Sequence, residues 1–311
     1  MISLILCAHN EEAMIGKVID RLKTELLNLS EEYEFFLCLS DCTDNTEKIV
    51  RGKIKRDKIK IKVLKTPRGK INSQIEALKK INKRSWAQIF LDGDIGIRKG
   101  AMLNLIHDAK KYSKVKMFYS NQIPVKNKSI FYNIINVRTI NPVYVIAKVD
   151  VREFHPYSRN KQKKVFSTGG IYLLRKGVYD IDARTTGDDS YLTHSIYYRF
   201  GPGTIKEVRN SQFIYQPVKT FSSWINKWKR IWGDINNLYF LHPEFKYLER
   251  YMELRIDYKK LIKEKQVTLL FFFSLERMWN FFGRKVFKLV LRNNSPHMWK
   301  PLEDTKEVKI T

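Results

Sequence analysis

Two carboxylates separated by one glycine, Asp92-Gly93-Asp94, directly follow the apolar run 87–91. An apolar run of this length between polar segments predicts a buried strand, so both carboxylates should emerge at its carboxyl end. Open α/β sheets bind ligands at that edge. Alternate positions point the same way, so carboxylate oxygens, completed by phosphate, could hold a hard divalent cation. For the motif in isolation, a solvated acidic loop is the simpler interpretation.

The first hundred residues alternate between strand and helix signals, which determines where the acidic motif lies. Strands are predicted at four places, the third of them a lysine-rich edge strand: 2–7, 34–39, 59–63 and 87–91. Amphipathic helices are predicted after the first three strands: 15–29, 45–56 and 71–81. This alternation predicts a mostly parallel α/β sheet with right-handed crossovers, so the four loops after the strands should meet at one edge.

The three other loops at this edge carry polar residues of their own. Asn10 and Glu11, after the first strand, could bond a nucleotide base or ribose, or could cap the first helix. Asp41, after the second strand, could accept from a base N–H or a sugar hydroxyl, although capping of the next helix is a simpler role for this loop. Lys70 lies at a predicted helix start, where its ammonium and the backbone N–H groups could face a diphosphate.

In this order, the four loops resemble the nucleotide-sugar-dependent glycosyltransferases of family 2, which have the GT-A fold. The matching stretches are 6–12, 40–46, 68–70 and 92–94. The resemblance covers roughly residues 1–200 and implies a GT-A domain, with a mostly parallel central sheet and helices on both faces. It also implies a nucleotide diphosphate sugar, UDP- or GDP-linked, as donor, with Mg²⁺ or Mn²⁺ bridging its phosphates.

The resemblance assigns roles to individual side chains in these loops. Asp94 and Asp92 match the metal-binding Asp-x-Asp of the family. The residues matched to the donor nucleotide are Ala8, His9, Asn10, Glu11, Asp41, Lys70, Asp92 and Gly93. The second loop is one residue shorter than the usual family pattern, so the match of Asp41 is offset by one place. The metal and Lys70 would stabilise the leaving diphosphate.

Two motifs further along the chain extend the resemblance to the reacting sugar. The stretch 167–175 resembles the glycine-rich turn and strand beneath the transferred sugar, where Thr168-Gly169-Gly170 would permit close approach. The pair Asp188-Asp189 resembles the acidic pair that carries the catalytic base, with Asp189 at the base position. By itself, such a pair is better explained as a helix cap. Since the base of this family acts opposite the leaving group, the resemblance implies direct displacement with inversion.

The stretch 227–232 resembles the Gln-x-x-Arg-Trp motif of processive members of the family. It lacks the glutamine and separates arginine from tryptophan, so we expect transfer of one sugar or a few, without long-chain polymerisation. Arg230 would contact the diphosphate, and Trp232 would form a platform for an acceptor sugar. Alternatively, tryptophans four residues apart form a helix face packed on the core. His194 or His242 could supply a third metal ligand, although a lone histidine is more often structural.

The composition restricts the partners and the compartment. With 43% hydrophobic and 13% aromatic residues, the 311-residue chain is typical of a globular protein. Its 58 Lys and Arg against 32 Asp and Glu give a net charge of +26, which predicts attraction to polyanions. Three cysteines without a Cys-x-x-Cys pair argue against a disulfide framework or zinc site and favour a reducing compartment. With no secretory signal or membrane-spanning stretch evident, we expect a cytoplasmic location.

The C-terminal part of the chain is rich in lysine and aromatic residues, and helices are predicted at 220–240, 246–265 and 267–291. We therefore divide the chain into a GT-A catalytic domain, 1–218, and a basic helical extension, 219–311. The last helix mixes large apolar residues with Arg and Lys, which suits an anionic membrane interface, at the inner face of the cell membrane. Packing on the catalytic domain or on another subunit is the alternative. A glycan, polyprenyl-linked or other lipid-linked acceptor would fit the membrane hypothesis.

Two other functions compete with the glycosyltransferase hypothesis. A nucleotidyltransferase can share such a sheet and metal site, but usually carries a glycine-rich, basic phosphate loop where this chain has the acidic, glycine-free stretch 8–12. A non-catalytic RNA- or membrane-binding protein would account for the positive charge but leaves the acidic loops without a role. We therefore expect a metal-dependent enzyme with no nucleic-acid partner.

Overall fold

The structure is a computed structural model that describes residues 1–151, 154, 167 and 169–291, with side chains up to Met278 and at Phe281. The strands are β1 (Ile2–Ala8), β2 (Tyr33–Ser40), β3 (Lys62–Thr66), β4 (Ala87–Asp92), β5 (Gly96–Ile97), β6 (Met117–Pro124), β7 (Val145–Ala147), β8 (Ile171–Arg175), β9 (Ile205–Tyr215) and β10 (Leu254–Ile256). The helices are α1 (Ile15–Leu27), α2 (Thr46–Asp57), α3 (Lys70–Leu78), α4 (Ala101–Lys111), α5 (Ile130–Ile135), α6 (Val137–Ile140), α7 (Asp188–Phe200), α8 (Phe221–Leu241), α9 (Glu249–Met252), α10 (Tyr258–Lys263) and α11 (Val267–Leu291).

The described strands form one eight-stranded sheet and one two-stranded ribbon. The order in the large sheet is β3-β2-β1-β4-β8-β6-β9-β5, and β7 pairs with β10 in the ribbon. Strands β1 to β4 are mutually parallel, as the alternation of strands and helices predicts, and β3 lies at the edge. The prediction of an α/β fold with a mostly parallel sheet is therefore confirmed.

Strand β8 runs antiparallel to both of its neighbours, β4 and β6, so β6 runs in the same direction as β1 to β4. Strand β8 therefore starts where β4 ends, and the Asp92 N–H donates to the Gly170 carbonyl at 3.0 Å. Strand β6 ends at the same edge, and from there the chain continues into α5 and α6. The carboxyl edge of the sheet thus gathers the four predicted loops, the glycine turn and the start of α5.

Helices cover both faces of the sheet because successive side chains of each strand point to opposite faces. On one face, Leu4 and Leu6 of β1 belong to a buried cluster with Ile19 of α1 and Leu105 of α4. On the other face, Ile5 belongs to a cluster that includes residues of α3 and α7. This arrangement confirms the predicted layers of the GT-A domain.

Two predicted elements differ from the structure. The third strand begins at Lys62, three residues later than Ile59, where its prediction starts. The helix predicted over 246–265 is wrong: a 3₁₀ turn at Pro243–Leu248 is followed by α9, β10 and α10. Strand β10 forms there because it pairs antiparallel with β7, a long-range contact that local periodicity does not reveal.

The C-terminal extension packs on the rest of the chain along one side of α11. This helix contacts α5, α6 and α10, and Glu276 forms an ion pair with Arg138 at 2.8 Å. The predicted helices 220–240 and 267–291 are confirmed as α8 and α11. Among the described residues, no helix is both long enough and apolar enough to cross a bilayer. The division of the chain at residue 218 stays a prediction.

Candidate active site

Lys70, the first residue of α3, connects three elements at the carboxyl edge of the sheet. Its Nζ lies 2.6 Å from Oδ1 of Asp92, at the end of β4, and 3.0 Å from Oδ2 of Asp188, at the start of α7. Nζ also donates to the Gly169 carbonyl at 3.1 Å. Burial alone would lower the pKa of Lys70, but Asp188 and Asp92 outweigh it and hold the pKa well above its ordinary value. A fixed positive charge therefore lies where the sequence predicts a diphosphate.

Asp188 is the buried anchor of this cation. Its Oδ2 accepts hydrogen bonds from Gln74 at 3.0 Å and from Tyr172 at 2.9 Å, in addition to its contact with Lys70. Burial raises the pKa of Asp188, but Lys70, Gln74 and Tyr172 more than offset burial, so the pKa lies below its ordinary value. Because the charge of Asp188 is satisfied inside the protein, this residue positions Lys70.

Sequence analysis did not select Gln74 or Tyr172, which hold the buried carboxylate. The available signal was spacing, because Gln74 lies one helical turn after Lys70 on α3 and Tyr172 lies two residues after Gly170, at the start of β8. Gln74 also links its partners, since its Nε2 lies 2.9 Å from the Tyr172 hydroxyl and its Oε1 accepts from Tyr179 at 2.9 Å.

Asp189 has different surroundings from its neighbour in the chain. It is only half-buried, and a Cβ built on Gly169 would lie 3.3 Å from its Oδ2. Its Oδ1 accepts a hydrogen bond from the Ser190 N–H at 2.7 Å. Burial and then the charge of Asp188 raise the pKa of Asp189, while Lys70 opposes the rise. A partly accessible carboxylate with a raised pKa is the stronger proton acceptor that a catalytic base needs.

Asp92 and Asp94 flank Gly93 where β4 ends. Burial raises the pKa of Asp92 to about 7, and the charge of Asp94 contributes to the rise while Lys70 opposes it. A divalent cation would relieve the repulsion between the two carboxylates. Within the described residues, no group of three or more His, Cys, Asp and Glu side chains could hold a metal ion. Two carboxylates with a substrate diphosphate completing the coordination is a usual arrangement for Mg²⁺.

Gly93 lies at a close contact between the first loop and the acidic motif. A Cβ there would lie 3.1 Å from Cγ of Glu11, 3.2 Å from the Cys7 carbonyl oxygen and 3.3 Å from Cβ of Ala8. These separations are tighter than ordinary van der Waals contacts. The structure thus brings together the first and fourth loops, as the parallel sheet predicts.

The first two loops are joined to each other by hydrogen bonds. Three of these bonds run from Thr43 N–H to Asn10 Oδ1 (2.8 Å), from His9 Nδ1 to the Ser40 carbonyl (2.5 Å), and from Glu11 N–H to Thr46 Oγ1 (2.7 Å). The capping hypothesis for Asn10 and Glu11 is wrong, because the N-cap of α1 is Met14 and no side chain caps it. The two loops form a single wall on this side of the site.

Asp41 lies exposed in the second loop, with a positive φ of 49°. The role at the helix start falls instead to Asp44, whose Oδ1 accepts from the Thr46 N–H at 3.0 Å as α2 begins. Asp41 directly follows Ser40, the last residue of β2, and so lies at the carboxyl edge of the sheet. Its contact with a nucleotide base stays a prediction, as do the donor contacts of Ala8, His9, Asn10 and Glu11.

The glycine turn lies beneath the site, although Thr168 falls outside the described residues. Gly169 faces Asp189 and Lys70, whereas Gly170 faces the buried ring of Phe213. A Cβ on Gly170 would lie 2.5 Å from two ring carbons of Phe213. At both glycines an added side chain would meet the protein itself, and the close approach of a transferred sugar to this turn stays a prediction.

Replacing Gly170 with Ala should lower the free energy of unfolding by about 1–3 kcal/mol, because the added methyl overpacks the core against Phe213. Denaturant unfolding would measure the change. Gly52 is the matched control, since it lies within α2 and its Cβ would meet nothing within 4 Å. Gly52→Ala should stabilise the protein by up to about 1 kcal/mol through helix propensity. Equal effects at the two glycines would be inconsistent with the Phe213 contact.

Arg230 on α8 lies within electrostatic reach of the acidic edge. Crowding by protein atoms lowers its pKa, and the charges of Asp234, Asp189, Asp94 and Asp92 each oppose that fall. Its side chain nevertheless remains largely exposed to solvent. The structure thus brings Arg230 to the site, and its contact with a diphosphate stays a prediction.

The tryptophans of α8 differ in their surroundings. Trp224 is buried beside Ile135 and Val218, and Trp228 packs partly against the same cluster. Packing on the core therefore explains these two. Trp232 is half-buried, and its role as a platform for an acceptor sugar stays a prediction.

Asp234, one helical turn after Arg230, is a site residue that sequence analysis did not select. Its Oδ1 accepts a hydrogen bond from the Thr186 hydroxyl, and its Oδ2 would lie 3.3 Å from a Cβ on Gly187, the N-cap of α7. Burial raises the pKa of Asp234 to about 7; Thr186 and Arg230 oppose the rise and Asp189 adds to it. The i, i+4 spacing from Arg230 was the only signal in the sequence.

Replacing Asp234 with Asn should remove part of the pH dependence of stability in metal-free buffer. The folded protein keeps a proton on Asp234 up to about pH 7, whereas the unfolded chain loses it near pH 4, so the free energy of unfolding falls as pH rises between these values. Because the side chain is only partly buried, we expect roughly half of the full effect, about 2 kcal/mol. Denaturant titrations at both pH values measure it, and an unchanged dependence in the variant would count against the assigned pKa.

The two histidines considered as metal ligands are structural. His194 is buried, with Nδ1 donating to the Ser190 carbonyl at 2.7 Å and Nε2 3.2 Å from the Tyr239 hydroxyl. Burial lowers the pKa of His194 to about 4. His242 lies 3.2 Å from Asp182. Over the described ranges neither joins the acidic motif in a metal-holding group, so the hypothesis of a histidine ligand is wrong for both.

Two solved structures with a similar fold are glycosyltransferases. A mannosyltransferase from Pyrobaculum calidifontis in complex with GDP-Man and Mn²⁺ matches with a TM-score of 0.55 at 15% identity, over 75% of this chain and 62% of that one. Glucosyl-3-phosphoglycerate synthase from Mycobacterium tuberculosis, in complex with Mn²⁺, UDP-Glc and phosphoglyceric acid, matches with 0.52 at 15% identity, over 77% and 78%. The chain thus spans less than two thirds of the mannosyltransferase. No curated protein matches it in sequence.

The sequence itself identifies the family. The model described as "Glycosyl transferase family 2" matches residues 3–179, which is more than half of the chain. The matched stretch contains Lys70, the motif Asp92-Gly93-Asp94 and the glycine turn, which the structure brings together at one edge of the sheet. This match favours sugar transfer over nucleotidyl transfer and over a purely binding role. The chain therefore belongs to glycosyl transferase family 2.

Proposed function

We propose that this protein transfers a sugar from a UDP- or GDP-linked donor to an acceptor hydroxyl, with inversion of configuration and with Mg²⁺ or Mn²⁺ as cofactor. The observation that carries the proposal is the cluster at the carboxyl edge of the sheet. In it, Lys70 lies 2.6 Å from Asp92 and 3.0 Å from Asp188, and Gly169 packs against Asp189. A cation, a carboxylate pair, an open turn and a base are the parts that this transfer requires.

The donor diphosphate would lie between the start of α3 and the acidic motif. Asp92 and Asp94 would hold the divalent ion, which supplies positive charge to the leaving diphosphate when it is bound. Lys70 adds a charge that is fixed before the reaction, because its two carboxylate partners keep it protonated. Arg230 adds a second charge from α8. The nucleotide would lie against the hydrogen-bonded wall of the first two loops.

Asp189 would act as the base. A carboxylate oxygen of Asp189 takes the proton of the acceptor hydroxyl while the hydroxyl oxygen forms its bond to the anomeric carbon. The bond from that carbon to the phosphate oxygen breaks, and its electron pair leaves with the diphosphate. Gly169 leaves room for the sugar beside the carboxylate, which a larger residue would fill. A single displacement of this kind inverts the anomeric centre.

The donor class has support from the solved neighbours. One is in complex with GDP-Man and the other with UDP-Glc, each together with Mn²⁺. These complexes make both nucleotides reasonable donors for this chain. Mn²⁺ is the metal of those complexes, and the oxygen ligands of the acidic motif would suit Mg²⁺ as well.

For the acceptor, we propose a glycan, polyprenyl-linked or other lipid-linked hydroxyl, extended by one sugar or a few. We place the protein in the cytoplasm, peripheral at the inner face of the cell membrane. The buried cysteines Cys7 and Cys38 form no disulfide, which suits a reducing compartment. The net charge of +26 suits an anionic surface.

Donor turnover tests this proposal. The protein would be incubated with UDP-Glc or GDP-Man, with and without Mn²⁺, in the presence of water alone or of a simple alcohol as acceptor. The nucleotide diphosphate released as the sugar is transferred would be measured. ¹H NMR would then give the configuration of the fresh product. We expect metal-dependent release and a β product from an α-linked donor. An α product would overturn inversion, and equal release in EDTA would overturn the metal requirement.

A further inference from the structure

Helix α11 carries apolar side chains on two opposite faces. On one face, Phe273 and Glu276 are buried against the rest of the protein. On the other, Val267, Phe271 and Met278 recur at helical spacing, and Phe281 continues the row. These four side chains are between 46% and 74% exposed. We call them the α11 stripe. A surface helix of a soluble protein needs only the first face, so the stripe requires a separate explanation.

A groove runs beside the stripe. It has a volume of about 600 Å³, and its lining combines apolar side chains with two hydroxyls and one cation: Tyr258, Leu270, Ser274, Arg277, Met278 and Phe281. Arg277 is exposed at its rim. The groove therefore offers an apolar slot with a positive charge at its edge, which matches the chemistry of an acyl chain below an anionic headgroup.

The surroundings of the stripe are basic. Lys259, Lys263 and Lys265, in and just after α10, are all exposed, and the acidic residue among them, Glu264, accepts from the Tyr144 hydroxyl at 2.7 Å and lies 4.0 Å from Lys260. The acidic residue on α11 itself, Glu276, is buried in its ion pair with Arg138 and does not neutralise this surface. An exposed apolar row flanked by cations is the pattern of helices that lie in an anionic membrane interface.

The position of α11 relates this surface to the reaction. Strand β6 runs parallel to β1 and ends at the same edge of the sheet as the acidic motif. From there the chain enters α5 and α6, and α11 packs on both. Helix α11 therefore packs on elements that leave the sheet at the donor-site edge. A membrane bound by the stripe could then present an acceptor to that edge.

We propose that the α11 stripe and its groove bind an anionic lipid bilayer, with the apolar row inserted among the acyl chains and the lysines and Arg277 contacting headgroup phosphates. Charge complementarity selects this occupant: a second copy of the chain would bring the same lysines and Arg277 against each other. The inference rests on the proposed function in one respect, namely that the bound membrane presents the acceptor to the site. The surface itself is defined without any substrate.

Vesicle flotation with the full chain tests the proposal. Vesicles of neutral phosphatidylcholine would be compared with vesicles containing phosphatidylglycerol, at low and high salt. Phe271→Glu removes one member of the stripe. Leu27→Glu is the matched control, since Leu27 is 78% exposed and ends α1, which leads back to the opposite edge of the sheet. Both variants make the same change of charge on an exposed helical residue.

We expect the wild type to float with anionic vesicles, less so at high salt, and not with neutral ones. Phe271→Glu should weaken this binding at least about tenfold, since insertion is lost and a like charge is added. Leu27→Glu should bind as the wild type does. If Phe271→Glu lowers the melting temperature, Met278→Glu replaces it. Donor-induced thermal stabilisation should be the same in all variants, so failure of the membrane proposal is distinguishable from failure of the proposed function.

Three results would overturn the proposal. The first is that the wild type binds no vesicles, and the second is that the stripe variants bind as tightly as the wild type. The third is that light scattering shows a wild-type dimer that the stripe substitutions dissociate, which would assign the surface to a second copy of the chain.

Discussion

Asp189→Asn should reduce sugar transfer by about 10³-fold while leaving donor binding intact, because general-base catalysis supplies effects of that size. The amide keeps the shape of the carboxylate beside Gly169 and can still accept from the Ser190 N–H. It cannot take the proton of the acceptor hydroxyl. Initial rates of nucleotide release, together with the melting-temperature shift caused by donor and Mn²⁺, measure the two properties separately.

Asp188→Asn is the informative companion to this variant. Asp188 is buried and contacts Lys70, Gln74 and Tyr172, so Asp188→Asn removes the charged acceptor that the three share and leaves Lys70 with Asp92 as its carboxylate partner. We expect it to lower both the stability and the donor affinity, in contrast to Asp189→Asn. Full transfer activity in Asp189→Asn would refute the assignment of the base. Identical phenotypes for the two variants would refute the division of roles between them.

Asp94→Ala should weaken metal-dependent donor binding by at least about 100-fold, since one of the two proposed carboxylate ligands, Asp92 and Asp94, is lost. Without metal, residual donor binding through Lys70 should change little. Titration calorimetry of UDP-Glc and GDP-Man in Mn²⁺ and in EDTA measures both. Asp180→Ala is the control, because Asp180 is a carboxylate that is 66% exposed and lies 3.4 Å from Arg199, outside the cluster. A Mn²⁺ effect that survives in Asp94→Ala would place the metal elsewhere.

The sequence allowed the carboxyl edge of the sheet to be predicted because the signals there are local. Asp92, Gly93 and Asp94 follow a short apolar run, and the parallel order of β1 to β4 brings the other loops to them. Lys70 was placed at the start of a helix, and α3 begins at that residue. The hydrophobic periodicity and the residue types at the turns were sufficient to predict these elements.

The partners inside the site could not be predicted in the same way. The contacts of Asp188 with Lys70, Gln74 and Tyr172 and the contact of Asp234 with Thr186 depend on how α3, β8, α7 and α8 pack. Such contacts join residues that are distant in the chain, and one sequence carries no record of them. The same reason accounts for β10, which replaces part of a predicted helix because β7 lies beside it.

The alternative hypothesis, that α11 packs on the catalytic domain, accounts for only one face of this helix. Phe273 and Glu276 make that contact, while Phe271 and Met278 point away from it. The helical period of the sequence predicts α11 but does not tell which of two apolar faces the protein covers. Only the packing of α5 and α6 against the helix distinguishes them.

The most direct test of the central claim is thermal stabilisation by UDP-Glc and GDP-Man, each with and without Mn²⁺, since a ligand that binds the native state raises its melting temperature. The account predicts a rise with one of the two donors that requires Mn²⁺ and disappears in Asp94→Ala. No rise with either donor in Mn²⁺, in a protein that remains folded, would contradict a metal-dependent donor site at this edge of the sheet.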